Sequence, residues 1–224
     1  KAKGTTLGAD DGIGIAMEMA LLKANDIEHG PIECVFTRDE ETGLTGAFEM
    51  KPGFMTGDYL INLDSEDEGQ LFVSCAGGVR TEATYTVDEE KLPEGFSTFN
   101  LVVKGLTGGH SGDDINKKRA NANKLLVRFL WEQSEKTDLR LCDIQAGGLH
   151  NAIPREAHAT VAVPTTYVAT FGEELQAFVE KVRDEFSATE PELTAVIEPV
   201  AAAPTCICKE QAERLLKKIG RAHV

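Results

Sequence analysis

Acidic side chains fall in three tight clusters within the first seventy residues, each of a kind that could handle a metal ion or a proton. The first is GADDGIG at 8–14, with Asp10 and Asp11 opening a helical pattern. The second is DEETG at 39–43, in which Glu40 and Glu41 are adjacent, and the third is DSEDEG at 64–69, headed by Asp64. Carboxylates gathered in one place repel, raising the pKa of at least one member, unless a cation sits among them. Hard or borderline divalent ions answer that need. An adjacent glutamate pair adds a second capability, because one carboxylate can ligate a metal while its neighbour handles a proton. Each cluster alone has a plainer reading. Asp at a helix start accepts orphan N–H groups and suits the dipole, and acids after a strand are commonly solvated turns.

A fourth group is GLTGGHSG at 105–112, where glycines on both sides of His110 permit close backbone approach and positive φ. An imidazole held there could donate to a developing oxyanion, and its plainer reading is an exposed histidine on a glycine-rich loop. NAIP at 151–154 places the Asn151 amide ahead of an extended X-Pro segment. The DSEDEG run lacks the twelve-residue loop of an EF-hand, and neither a Walker loop nor a nucleophile elbow is present.

Strand and helix signals alternate through the elements that must position these groups. Residues 12–23 carry Ile13, Ala16, Met17, Ala20 and Leu21 at helical spacing. The apolar runs at 32–37 (IECVFT) and 58–63 (DYLINL) read as strands buried in a sheet, each ending in acid, where open α/β sheets place their sites. Residues 1–79 are therefore expected to form an incomplete α/β sheet domain. From 80 to 218 the pattern changes. Strands are expected at 99–106, 139–144, 157–163 and 193–197, and helices at 121–133 and 171–186. Their stripes are Leu125, Leu126, Phe129 and Leu130 on the first helix, and Leu175, Phe178, Val179, Val182 and Phe186 on the second. The order β-α-β-β-α-β is the α+β, ferredoxin-like arrangement.

The 224 residues carry a formal net charge of −14 with 42% hydrophobic residues, a globular composition. The acidity argues against nucleic acid or an anionic membrane as partner, and no run of 18 apolar residues offers a helical span. Five scattered cysteines form no disulfide framework and point to a reducing compartment. The chain opens on Lys1 with its first Met at Met17, so a fragment is expected. Residues 219–224 are set aside as a non-native tail, His223 with them.

The motifs, in this order, resemble the M20 family of metallopeptidases, most closely its aminoacyl-histidine dipeptidase branch of the peptidase D type. The matching stretches are TTLGADDGIG (5–14), DEETG (39–43), INLDSEDEG (61–69), CAGG (75–78), KGLTGGHSG (104–112), NANKLLVRFL (121–130) and HNAIPREA (150–157). The resemblance implies metal-dependent hydrolysis of dipeptides, especially Xaa-His, by a two-zinc site, with manganese or cobalt as alternative metals. It implies a catalytic domain carrying a ferredoxin-like lid. By motif, Asp10 would bridge both metals, Glu41 and Asp64 would each ligate one, and Glu40 would be the general base. His110 would stabilise the oxyanion, and Asn151 would contact the substrate. A small peptide substrate, pairing into a homodimer and a cytoplasmic location follow from the same resemblance.

One departure bears on activity. The family also uses a His-x-Asp pair upstream of the bridging Asp and a metal-binding His near the C-terminus. The histidines here are His29, His110, His150, His158 and His223, and none is followed two residues on by Asp. Carboxylates alone hold zinc weakly and unselectively, so the chain by itself is expected to be inactive. Two other readings are an N-acyl-amino-acid deacylase of the same superfamily and a noncatalytic acidic module that binds cations or dimerises.

Overall fold

The computed structural model describes residues 10–65, 67–75, 77, 79 and 81–221, and divides the chain into two units, Lys1–Arg80 and Thr81–Val224. Parts of three quoted motifs (5–9, Glu66, Ala76 and Gly78), together with residues 222–224, lie outside the described residues.

The first unit starts with helix α1 (Gly12–Lys23), capped by Asp11, whose carboxylate accepts the Gly14 N–H at 3.0 Å. The helix spans the residues whose spacing predicted it, and its inward side is the one bearing Gly14. Gly14 is buried with Asp11, Glu18 and Leu21 partly so, while Ile13, Ala16, Met17 and Ala20 are exposed. The reason is local: a Cβ at Gly14 would stand 1.9 Å from Asp11 Oδ2 and 3.1 Å from Leu63 Cβ, so the bare face admits the segment leading to Asp64. Two single-turn helices follow, α2 (Glu40–Gly43) and α3 (Thr45–Phe48).

The runs at 32–37 and 58–63 carry no strand pairing, and this corrects their reading as buried strands. Tyr59 is 92% and Ile61 77% exposed. A strand is a partnership, and without a neighbour's ladder its backbone groups turn to water. The first run is tied instead to the turn before the second. Glu33 accepts the Thr56 N–H at 2.8 Å, the Thr56 hydroxyl at 2.6 Å and the Gly57 N–H at 3.2 Å, and these donors hold its carboxyl below its ordinary pKa.

The second unit follows the expected order. It contains β1 (Glu89–Lys91), β2 (Phe96–Lys104), β3 (Gly109–His110), α4 (Ala122–Ser134), β4 (Arg140–Ala146), β5 (Ala152–Ile153), β6 (Ala157–Pro164), α5 (Val168–Glu185), β7 (Thr194–Pro199), β8 (Thr205–Ile207) and α6 (Lys209–Arg221). The main sheet runs β4-β6-β2-β7 with every neighbouring pair antiparallel, and Leu101 lies opposite Ala159 on β6 and Ile197 on β7. This is the ferredoxin-like α+β topology. β2 begins three residues before the expected 99 and ends ahead of Gly105. There φ is +80° and a Cβ would meet Glu192 O at 2.1 Å, so the glycine turns the chain away where the next segment presses close. Two ribbons, β1-β8 and β3-β5, complete the unit, and α6 continues through Ile219, which packs on the core.

Both expected helix stripes face the sheet. Leu125, Leu126, Phe129 and Leu130 of α4 and Leu175, Phe178 and Val182 of α5 are buried against Leu101, Val103, Leu141, Val161 and Val163. Asn121 caps α4 through its side-chain oxygen, which accepts the Lys124 N–H at 3.1 Å. Phe129 lies 5.4 Å from Phe171 and 5.3 Å from Phe178, ring centre to ring centre. Among the described residues no helix is long and apolar enough to cross a membrane. Phe129→Ala removes the ring that links α4 to α5, and should lower unfolding stability by about 3–5 kcal/mol in a denaturant titration.

Candidate functional site

In the first unit, Asp10 and Asp64 come together as the sequence suggested, joined by Asp11. Oxygens of the three carboxylates lie within 4.8 Å of one another, and the cluster is largely exposed. The Asp10–Asp11 peptide is cis. Burial pushes the Asp64 carboxyl above its ordinary pKa, and the charge and hydrogen bonding of Asp10, then the charges of Asp11 and Glu40, push it further. Two unit charges 4 Å apart repel by about 1 kcal/mol in bulk water and about 4 kcal/mol at an effective dielectric near 20. The exposure of this cluster places it toward the lower figure. The all-oxygen donor set suits hard or borderline divalent cations. A cation there would offset the repulsion seen at Asp64.

Glu40 opens α2, exposed, and adds to the negative field at Asp64. Glu41 is the next residue of the same turn and lies outside the three-carboxylate group. The turn is fixed from behind. The Gly46 N–H donates to Arg38 O at 3.1 Å, and a Cβ on Gly46 would stand 2.7 Å from Arg38 N. Asp11 is the group that sequence reasoning left as a cap. Its position beside Asp10 was the available signal, and the structure gives it both the cap and a place in the cluster.

In the second unit, His110 on β3 and Asn151, the residue just before β5, come together. His110 pairs with Ala152, and the Ser111 N–H donates to Asn151 O at 2.8 Å. The His110 side chain is half exposed, and its backbone N–H donates to Asp114 Oδ2 at 2.8 Å. Asp114 also accepts Lys117 Nζ at 2.6 Å and faces Arg119 at 3.0 Å. The Lys117 ammonium first, then the His110 N–H and the charge of Arg119, hold the Asp114 carboxyl down to about 2. Glu190, buried and absent from any sequence motif, accepts the Thr107 N–H at 2.6 Å and the Ala120 N–H at 2.8 Å, bracing both ends of the histidine loop.

Residues 94–193, from just before β2 to just before β7, match the M20 peptidase dimerisation domain, which is the lid-like α+β part of the fold. The chain is 46% identical over 201 residues to the cytosol non-specific dipeptidase of Escherichia coli, covering 90% of this chain and 41% of that protein. It is 34% identical over 116 residues to the uncharacterized protein YqjE of Bacillus subtilis, covering 48% of this chain and 31% of that one. Its structure matches the aminoacylhistidine dipeptidase of Vibrio alginolyticus with a TM-score of 0.71 at 39% identity, covering 98% of this chain and 45% of that one. The chain thus spans less than half the length of each of these relatives.

Gly14→Ala should displace Asp11 or the Leu63–Asp64 segment, and Asp64→Asn should remove one carboxylate. Each is expected to weaken Mn2+ binding roughly 10–100-fold by calorimetry, the scale of a disturbed metal shell. Asp114 offers a pH test in the other unit. Its folded pKa lies below the ordinary value of 3.8, so it contributes stability above that value that is lost as pH falls toward about 2. Asp114→Asn should lower the melting temperature at pH 7, and the difference from the parent chain should shrink progressively below about pH 4.

Proposed function

With an M20 peptidase dimerisation domain across residues 94–193 as the premise, we propose that this chain is part of a metal-dependent dipeptidase acting on small peptides, Xaa-His among them. The observation that carries the reading is the convergence of Asp10, Asp11 and Asp64 at the start of α1, in a chain 46% identical to a cytosol dipeptidase. Asp10 would be shared by two divalent ions, zinc in the first instance with manganese or cobalt as alternatives, while Glu41 would hold one ion and Asp64 the other. What such a cation supplies when bound is acidification of a water and polarisation of a peptide carbonyl. Glu40, which opens α2 and whose charge acts on Asp64, would take the proton of the attacking water. His110 donates to the oxyanion, and Asn151, in the turn just before β5, contacts the substrate.

The same reading makes the protein a cytoplasmic homodimer paired through its dimerisation domain. It also makes the 224-residue chain inactive alone, because its described metal cluster is built of carboxylates without an imidazole.

Hydrolysis of an Xaa-His dipeptide tests the proposal, using the protein that carries this chain, stripped with chelator and reloaded with zinc. Zinc-dependent turnover that Glu40→Gln reduces by about 10²–10⁴-fold, the usual contribution of a general base, supports it. Absence of turnover in folded, metal-loaded protein would reject the dipeptidase and direct the assay to N-acyl amino acids. Turnover by the isolated 224-residue chain would overturn the inactivity assignment alone.

A further inference from the structure

We propose that Asp114 is a positioning residue which, with the amides of Gly112 and Asp113, presents His110 as an Nε2–H hydrogen-bond donor. The inference rests on the oxyanion role given to His110 above and specifies its protonation form. Nδ1 of His110 lies 3.1 Å from the Gly112 nitrogen and 3.2 Å from the Asp113 nitrogen, and both N–H groups donate to it. A ring nitrogen that accepts two donors uses its lone pair and has no room for a proton of its own. The proton of the neutral ring is therefore on Nε2. Among the described residues the one opposing group is the Asp113 carboxylate, which would favour a proton on Nδ1. It stands 3.7 Å away, beyond hydrogen-bond length, and is 86% exposed, so the two amides prevail.

Asp114 fixes the backbone from which the ring hangs. One of its oxygens accepts the His110 N–H, and its own N–H returns to His110 O at 3.1 Å. Arg119 links that same carboxylate to Gly108 O, at 3.0 and 2.6 Å, so the chain is gripped on both sides of position 109. Gly109 and Gly112 leave space for this grip. A Cβ at 109 would lie 2.2 Å from Arg119 and 2.3 Å from Asp114, and one at 112 would lie 3.2 Å from the imidazole. Among the described residues Nε2 has no hydrogen-bond partner, so the prepared donor is turned to solvent or substrate. A donor already oriented needs no reorganisation when charge develops, which is where such groups contribute most.

The tautomer can be read without any catalysis, by 15N NMR of the histidine side chains of the whole chain in alkaline buffer, with His110 assigned by its loss in His110→Gln. A single Nε2–H tautomer at His110 is expected in the parent chain. In Asp114→Asn the single-tautomer signature should be lost to a mixture. Arg119→Gln should move it in the same direction, and Lys117→Met, which touches only the other oxygen of Asp114, should leave it unchanged. An Nδ1–H form or a mixture in the parent chain overturns the proposal. So does an unmoved tautomer in a folded Asp114→Asn or Arg119→Gln variant. If the dipeptidase assay fails while the tautomer responds as described, the function falls and the positioning role stands.

Discussion

The second unit depends on one contact surface, the face of two helices laid on one face of a four-stranded sheet. Phe129 at the centre touches Phe171 and Phe178, and through them α4 and α5 are fixed on β2 and β6. Everything chemical in this unit hangs from that surface. α4 begins immediately after the histidine loop, and the turn after α5 carries Glu190, whose carboxylate closes the loop at both ends. An aliphatic replacement at Glu190 would leave the buried Ala120 amide without a partner, at a cost of about 1–3 kcal/mol, and would free the more exposed Thr107 amide to water.

The first unit is organised differently. Its described residues form no paired strands, and large apolar side chains from Ile13 to Val79 remain exposed. Its local order comes from close approaches and charge. Gly14 admits Leu63, Gly46 admits Arg38, and Glu33 collects three donors from Thr56 and Gly57. The first of these brings Leu63, and with it Asp64, to the start of α1 beside Asp10 and Asp11 despite the repulsion, at the helix end whose dipole favours negative charge.

The contrast explains which features were legible in the sequence. Helix stripes in the second unit were readable because the partner sheet lies within the same unit, so periodicity and burial agree. The helix at 12–23 was readable from its spacing, whereas the side it turns inward, the one bearing Gly14, is set by the close approach of Asp11 and Leu63 and is recorded in no periodicity. The runs at 32–37 and 58–63 read as strands because composition reports β preference and is silent on whether a neighbour pairs with them. Within the candidate site, Asp10, Asp64, His110 and Asn151 stand out as motif residues. Asp114, Arg119 and Glu190 do not, since their roles arise from contacts with backbone atoms that no residue pattern records.

Glu190 is separated by 83 residues from Thr107 and by 70 from Ala120. Contacts between residues so distant in sequence close long loops of chain, and their formation is slow compared with local turns. The histidine loop therefore cannot reach its final shape when its own residues emerge during synthesis. It must wait until α5 and the turn after it have been made and docked. The shape of the loop around His110 is thus written by the last third of its domain, and any polypeptide ended before residue 190 would carry that loop without the carboxylate that braces both its ends.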